Sequence, residues 1–176
     1  MRFEKYLNET KNMEKTMIGF GVDNNYFILL ASKIKEILDK KGLSYEEIKE
    51  KHVTIAQIPG KYPKDNLIRD INKIKTNVTF KPKSLGIFKG IMVDNDFIVI
   101  EYSSSDKYKA IFNYISSKYN VKMFPGGIRI HISLFKIPRN SMEVSELESI
   151  KKLPKIQASS VELFNNKFSI EYKKEK

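Results

Sequence analysis

Both histidines of this 176-residue chain stand in the same local pattern, His52-Val53-Thr54-Ile55 and His131-Ile132-Ser133-Leu134. Each string alternates polar and apolar residues, the period of a half-buried strand. Residues i and i+2 of a strand share a face, so each string sets an imidazole beside a hydroxyl and turns its apolar residues toward a core. The fold must therefore hold two such strands, each with one polar face. Ser and Thr make up 20 of the 176 residues, so chance would place a hydroxyl two positions after both histidines about once in eighty chains of this composition. The plainer reading of either string is a strand histidine satisfied by its neighbours. Repetition at matched offsets favours a shared site.

The rest of the chain supplies a repeated setting for these strands. A strand is expected over 16–22, closed by the turn-prone Asp23-Asn24-Asn25, and a helix over 26–41 with Phe27, Leu30, Ile34, Ile37 and Leu38 on one stripe, ended by Gly42. Ser44 three residues before Glu47 predicts a capping box that opens a short helical turn over 44–51. After the first His strand come a loop over 59–63, a helix over 65–75, strands over 78–80, 84–89 and 97–102, and a helix over 106–119. Pro125-Gly126-Gly127 leads into the second His strand, followed by a helix over 143–152 and a closing hairpin of 156–163 and 168–172 around Asn165-Asn166. Strand, helix, His strand, helix thus occurs twice. The expected fold is α+β: a bilobal duplicated unit whose two antiparallel sheets form a central cleft with helices outside, in one domain over 1–176. The opening residues, with Phe3, Tyr6 and Leu7 as apolar anchors, are expected as a short helix or tail.

Composition narrows the partners. The chain carries 32 basic and 21 acidic residues, a formal charge of +11, which draws anionic partners such as nucleotides and RNA. Only four of the basic residues are Arg, so a diffuse field is expected and not the planar forks that read base edges, and no DNA-specific binding is expected. No apolar run reaches bilayer length and the N-terminus lacks the stretch of a signal peptide, so no membrane partner and a cytoplasmic location are expected. The lack of cysteine fits that compartment and removes disulfides, thiolate nucleophiles and Cys-based zinc sites.

Two imidazoles on either side of a phosphodiester can divide the work of hydrolysis. One takes a proton from the attacking hydroxyl and the other hands a proton to the leaving oxygen. Thr54 and Ser133 would then donate to the non-bridging oxygens, where charge builds up. Neither histidine has a second His or an Asp at ligand spacing, and Gly86-Ile87-Phe88-Lys89-Gly90 lacks the phosphate-loop pattern, so neither a metal nor another cofactor is expected.

These paired strings, one per half and separated by helices and a strand pair, resemble those of the 2H phosphoesterase superfamily. That group includes 2′-5′ RNA ligase-like proteins, RNA cyclic phosphodiesterases and phage anti-CBASS enzymes that destroy cyclic oligonucleotide defence signals. The resemblance spans about residues 16–168, and Leu85-Gly86-Ile87-Phe88 is similar to a segment between the family's two motifs. It implies His52 and His131 as the acid/base pair, with Thr54 and Ser133 on the phosphate. It also implies a metal-independent phosphodiesterase acting on ribonucleotide linkages: cyclic or 2′-5′-linked oligonucleotides, or 2′,3′-cyclic phosphates. The Lys/Asn-rich chain and its Phe3-Glu4-Lys5-Tyr6-Leu7 opening resemble phage-encoded members, which would act in the host cytosol. Processing of RNA or tRNA ends is the alternative within the same chemistry, and a non-catalytic basic RNA-binding module the alternative outside it. Lys136 stands where some members carry a basic residue, five positions after the second His, but strict alternation turns it away from His131 and reads it as a surface lysine. Tyr62 and Arg139, in loops beyond each motif strand, are candidates to stack on or clamp a nucleotide.

Overall fold

The computed structural model describes residues 15–59, 64–74, 77–90, 93–119, 121 and 129–164. Strand β1 (Lys15–Gly21) leads through a short 3-10 turn, Asn24–Phe27, into helix α1 (Ile28–Lys40). Strands β2 (Glu46–Glu47) and β3 (His52–Pro59) precede helix α2 (Lys64–Asn72) and strands β4 (Val78–Phe80), β5 (Pro82–Lys89) and β6 (Asn95–Tyr102). Helix α3 (Asp106–Lys118), β7 (His131–Pro138), a 3-10 turn at Val144–Leu147, β8 (Ile156–Ala158) and β9 (Val161–Phe164) complete the order.

The architecture is α+β, built on antiparallel sheets as the repeated order predicts. One sheet has the order β3-β1-β9 and the other β2-β7-β6-β5, while β4 and β8 form a separate two-stranded ribbon. Each His strand belongs to a different sheet, and β3 and β7 lie against each other where the sheets meet. The apolar faces share one core, in which Ile18, Phe20, Val53, Ile98, Ile132 and Phe135 are fully buried.

The helices follow their apolar stripes. In α1, Leu30, Ala31, Ile34 and Leu38 are buried. The helix ends at Gly42, whose φ of +63° lets the Leu43 amide donate to the Leu38 carbonyl at 3.1 Å and the Gly42 amide to Asp39 at 2.9 Å. Glycine reaches that left-handed backbone without the Cβ strain other residues meet, which satisfies two carbonyls at the helix end. Helix α3 starts at Ser105, whose hydroxyl accepts from the Tyr108 amide at 3.2 Å, and buries Tyr108, Ile111 and Ile115.

Three expected elements come out differently. The segment after Ser44 is extended, because its backbone closes the open edge of β7 through the Glu46/Lys136 and Glu47/Phe135 pairs. The Glu47 carboxylate meets Lys35 at 2.6 Å and Lys51 at 3.5 Å, where a capping box would have sent it back to Ser44. The helix expected over 143–152 shrinks to one 3-10 turn at Val144–Leu147, with only Leu147 and Ile150 of that span buried and Val144 exposed, too little apolar anchoring to extend it. The stretch 156–163 is broken at Ser159-Ser160 into two strands, β8 on β4 and β9 on β1. The other arm of the expected hairpin and the opening segment lie outside the described residues.

Candidate active site

The two motif strands share a deviation that the sequence conceals. In β3, Ile18 pairs with Ala56 and the next residue, Gly19, with Thr54, leaving Ile55 without a partner. In β7, Ile98 pairs with Phe135 and Val99 with Ser133, leaving Leu134 without one. Each strand thus carries a one-residue bulge three positions after its histidine. A bulge turns two successive side chains to the same side and shifts the alternation beyond it. Ile55 and Ala56 are both buried, as are Leu134 and Phe135. Residues at the histidine, +2 and +5 positions are the half-exposed ones in both strands: His52, Thr54 and Gln57, and His131, Ser133 and Lys136.

Lys136 therefore returns to the His131 face, against the expectation from strict alternation. Its ammonium lies 3.5 Å from the Glu46 carboxylate, a solvent-exposed contact that leaves it accessible. Arg139 lies elsewhere. It sits past the far end of β7 from His131 and donates to the Gly90 carbonyl at 2.7 Å, with Asp94 at 3.7 Å, so it ties down the β5–β6 turn. Tyr62 lies outside the described residues.

Both imidazoles are held the same way. Nδ1 of His52 lies 3.2 Å from the Glu50 carbonyl, and Nδ1 of His131 lies 2.8 Å from the Arg129 carbonyl. A carbonyl can only accept, so each Nδ1 carries the proton and each neutral ring keeps its lone pair on Nε2. In both cases the acceptor is two residues before the histidine. Each ring also rests against a phenylalanine: His52 stacks on Phe164 with centroids 4.5 Å apart, and His131 meets Phe88 at 4.8 Å.

Further bonds hold the Thr54 hydroxyl and the backbone at both bulges. Thr54 Oγ1 reaches the Met17 sulfur at 3.3 Å, and the Thr54 carbonyl, at the bulge, accepts from the Tyr108 hydroxyl at 3.0 Å. On the other strand the bulged Leu134 carbonyl accepts from the Ile48 amide at 2.9 Å. Opposed residues on neighbouring antiparallel strands share a face. Gly21 and Gly19 therefore floor the space beside His52 and Thr54, while Glu101 stands across from His131 and Val99 across from Ser133.

Burial holds both imidazoles below their ordinary pKa near 6.5, and the carbonyl bonds to Nδ1 oppose that pull. Their charged neighbours differ. A charge on His131 lowers His52, so the two rings are within electrostatic reach of one another. The Glu50 carboxylate favours the proton on His52 as Glu101 does on His131, where the Arg129 charge works against it. Among the described residues no three His, Cys, Asp or Glu side chains gather where they could hold a metal ion. No described helix is long and apolar enough to cross a membrane.

Reading of the sequence missed four side chains that shape this site: Phe88, Phe164, Glu101 and Arg129. Only Phe88, in the segment between the motifs, carried any signal.

No family model matches the chain, and no curated protein matches its sequence. Its fold is similar to the solved structure of Usb1 from Kluyveromyces marxianus, with a TM-score of 0.61 at 10% identity over 86% of this chain and 94% of that one. The same protein solved with uridine monophosphate aligns with a TM-score of 0.50 at 12% identity, covering 77% of this chain and 78% of that one. At such identities the likeness is one of fold.

Proposed function

We propose that this protein is a phosphodiesterase of the 2H type that cleaves ribonucleotide phosphodiesters with His52 and His131 as its acid/base pair. The observation that carries this reading is the matched clamp on both rings. Two histidines from different sheets each have Nδ1 closed by the carbonyl two residues back, which leaves Nε2 for proton transfer, and each has a hydroxyl two residues on along the same strand face. A histidine serving only to satisfy a sheet has no need of a counterpart in the same tautomer on the adjoining strand.

In the reaction the unprotonated Nε2 of one ring takes the proton of the attacking hydroxyl as its oxygen bonds to phosphorus. The other ring gives its Nε2 proton to the oxygen whose bond to phosphorus breaks. Each ring has one carboxylate that favours its proton, Glu50 for His52 and Glu101 for His131, so the pair can share the two roles in either order. Thr54 and Ser133 donate to the non-bridging oxygens. None of these steps calls for a metal.

The candidate substrates are cyclic or 2′-5′-linked oligonucleotides, as a phage counter-defence enzyme would take, and 2′,3′-cyclic phosphates. Trimming of RNA ends is the second reading, favoured by the fold shared with a protein solved in complex with uridine monophosphate. Incubation of wild type, His52→Ala and His131→Ala with these substrates in EDTA, followed by mass spectrometry, tests the proposal. Turnover by wild type should survive the chelator and fall at least ~100-fold in each variant. Tight RNA binding by all three without any product would leave a binding module in its place.

A further inference from the structure

The positions two residues before the histidines carry opposite charge, Glu50 and Arg129, although the strands that follow them match. Beside His52 stand two carboxylates, Glu50, whose charge acts on the ring, and Glu162, which lies over Gly21 with an oxygen 2.6 Å from where a Cβ there would stand. Beside His131 the corresponding group is Arg129. Its guanidinium carbon lies 4.3 Å from the centre of the Phe88 ring, the same ring that touches His131. One guanidinium nitrogen meets Glu101 at 2.8 Å, and the side chain is still 61% exposed. Among the described residues Arg129 thus uses one of its five donors, and its guanidinium is held between a ring and a carboxylate. The ladder between β6 and β7 continues past His131, with the Tyr102 amide donating to Ile130 at 2.8 Å. Arg129 therefore follows the strand two residues before His131, roughly 7 Å away along the chain.

We propose that Arg129 is the subsite for a second phosphate of the substrate, next along the strand from the one that the histidines cleave. This rests on the proposed function for the position of the scissile phosphate and extends it to the substrate class. The favoured ligand is an oligonucleotide with at least two phosphates, in preference to a cyclic mononucleotide. A preorganised planar fork suits a phosphate's paired oxygens, and the exposed pair with Glu101 is weak enough to yield a donor to it.

The test reads binding without turnover, in a His52→Ala background, with a uridine dinucleoside monophosphate and a trinucleoside diphosphate. The parent should bind the diphosphate more tightly. Adding Arg129→Ala should weaken that ligand by about 10-fold and the monophosphate by less than about twofold. The salt slope for the diphosphate should drop by about 0.7. Arg129→Gln, which keeps a planar group on Phe88, should behave like Arg129→Ala, and Arg129→Lys should retain part of the affinity. Equal weakening of both ligands, or a diphosphate bound no better than the monophosphate by the parent, overturns the proposal. So does a loss confined to guanine-containing ligands, which would make Arg129 a base reader. Absence of hydrolysis by the wild type would count against the proposed function and leave this binding comparison to stand on its own.

Discussion

The chemistry of single residues here turns on where two protons sit. Because Nδ1 of each imidazole is committed to a carbonyl, Nε2 alone can gain or lose a proton during the reaction. Both rings are held below the ordinary value near 6.5. The pH profile of kcat/KM, which reports the free enzyme, should therefore be bell-shaped with its optimum on the acid side of 6.5. Glu101→Gln removes the carboxylate that favours protonated His131, so one limb should move to lower pH and that limb identifies the role of His131, while an unchanged profile would separate Glu101 from the ring. His52, Thr54, His131 and Ser133 were legible because their spacing along a strand is itself their geometry. Arg129, Glu101 and Phe164 were not, since each reaches its histidine through sheet register or a stacked ring, and neither can be read from one strand alone.

Among the elements, the paired bulges decide what the strands present. The first depends on a close approach between β1 and β3: a Cβ on Gly19 would lie 2.7 Å from the Val53 carbonyl oxygen and 3.2 Å from the Phe164 ring. A backbone oxygen cannot swing aside as a side chain does. Gly19→Ala should therefore cost about 1–3 kcal/mol in urea unfolding, and should impair turnover further by displacing Phe164 from His52. Unfolding at the wild-type midpoint would show that the strands can part freely there. The long amphipathic helices were legible because a stripe of buried residues and a terminal glycine act locally. The capping box at Ser44 was a false signal, because pairing with the edge of β7 and two lysines around Glu47 outweighed a local hydrogen-bond pattern. Nor did the bulges announce themselves, since Ile55-Ala56 and Leu134-Phe135 read equally well as a strand end.

For the whole molecule, the site and the stability of the fold are joined through protons. With folded-state pKa values below the unfolded one near 6.5, the unfolded chain binds more protons than the native chain as pH falls through that value. Native stability should thus be full at neutral pH and decline from about pH 7 toward 5, levelling once the native rings are themselves protonated. Thermal unfolding across that range should show the slope, and the double variant His52→Ala/His131→Ala should flatten it. Glu47, kept low chiefly by Lys35, acts in a separate window below its ordinary 4.5. Two sheets with strands bulged at one offset make a matched frame, but the side chains mounted on it differ: Gln57 against Lys136, and Glu50 against Arg129. Such a frame with unlike fittings has a handedness. Any strand laid across it one way round would meet different groups from the same strand reversed, so a preference for one direction would follow from that mismatch.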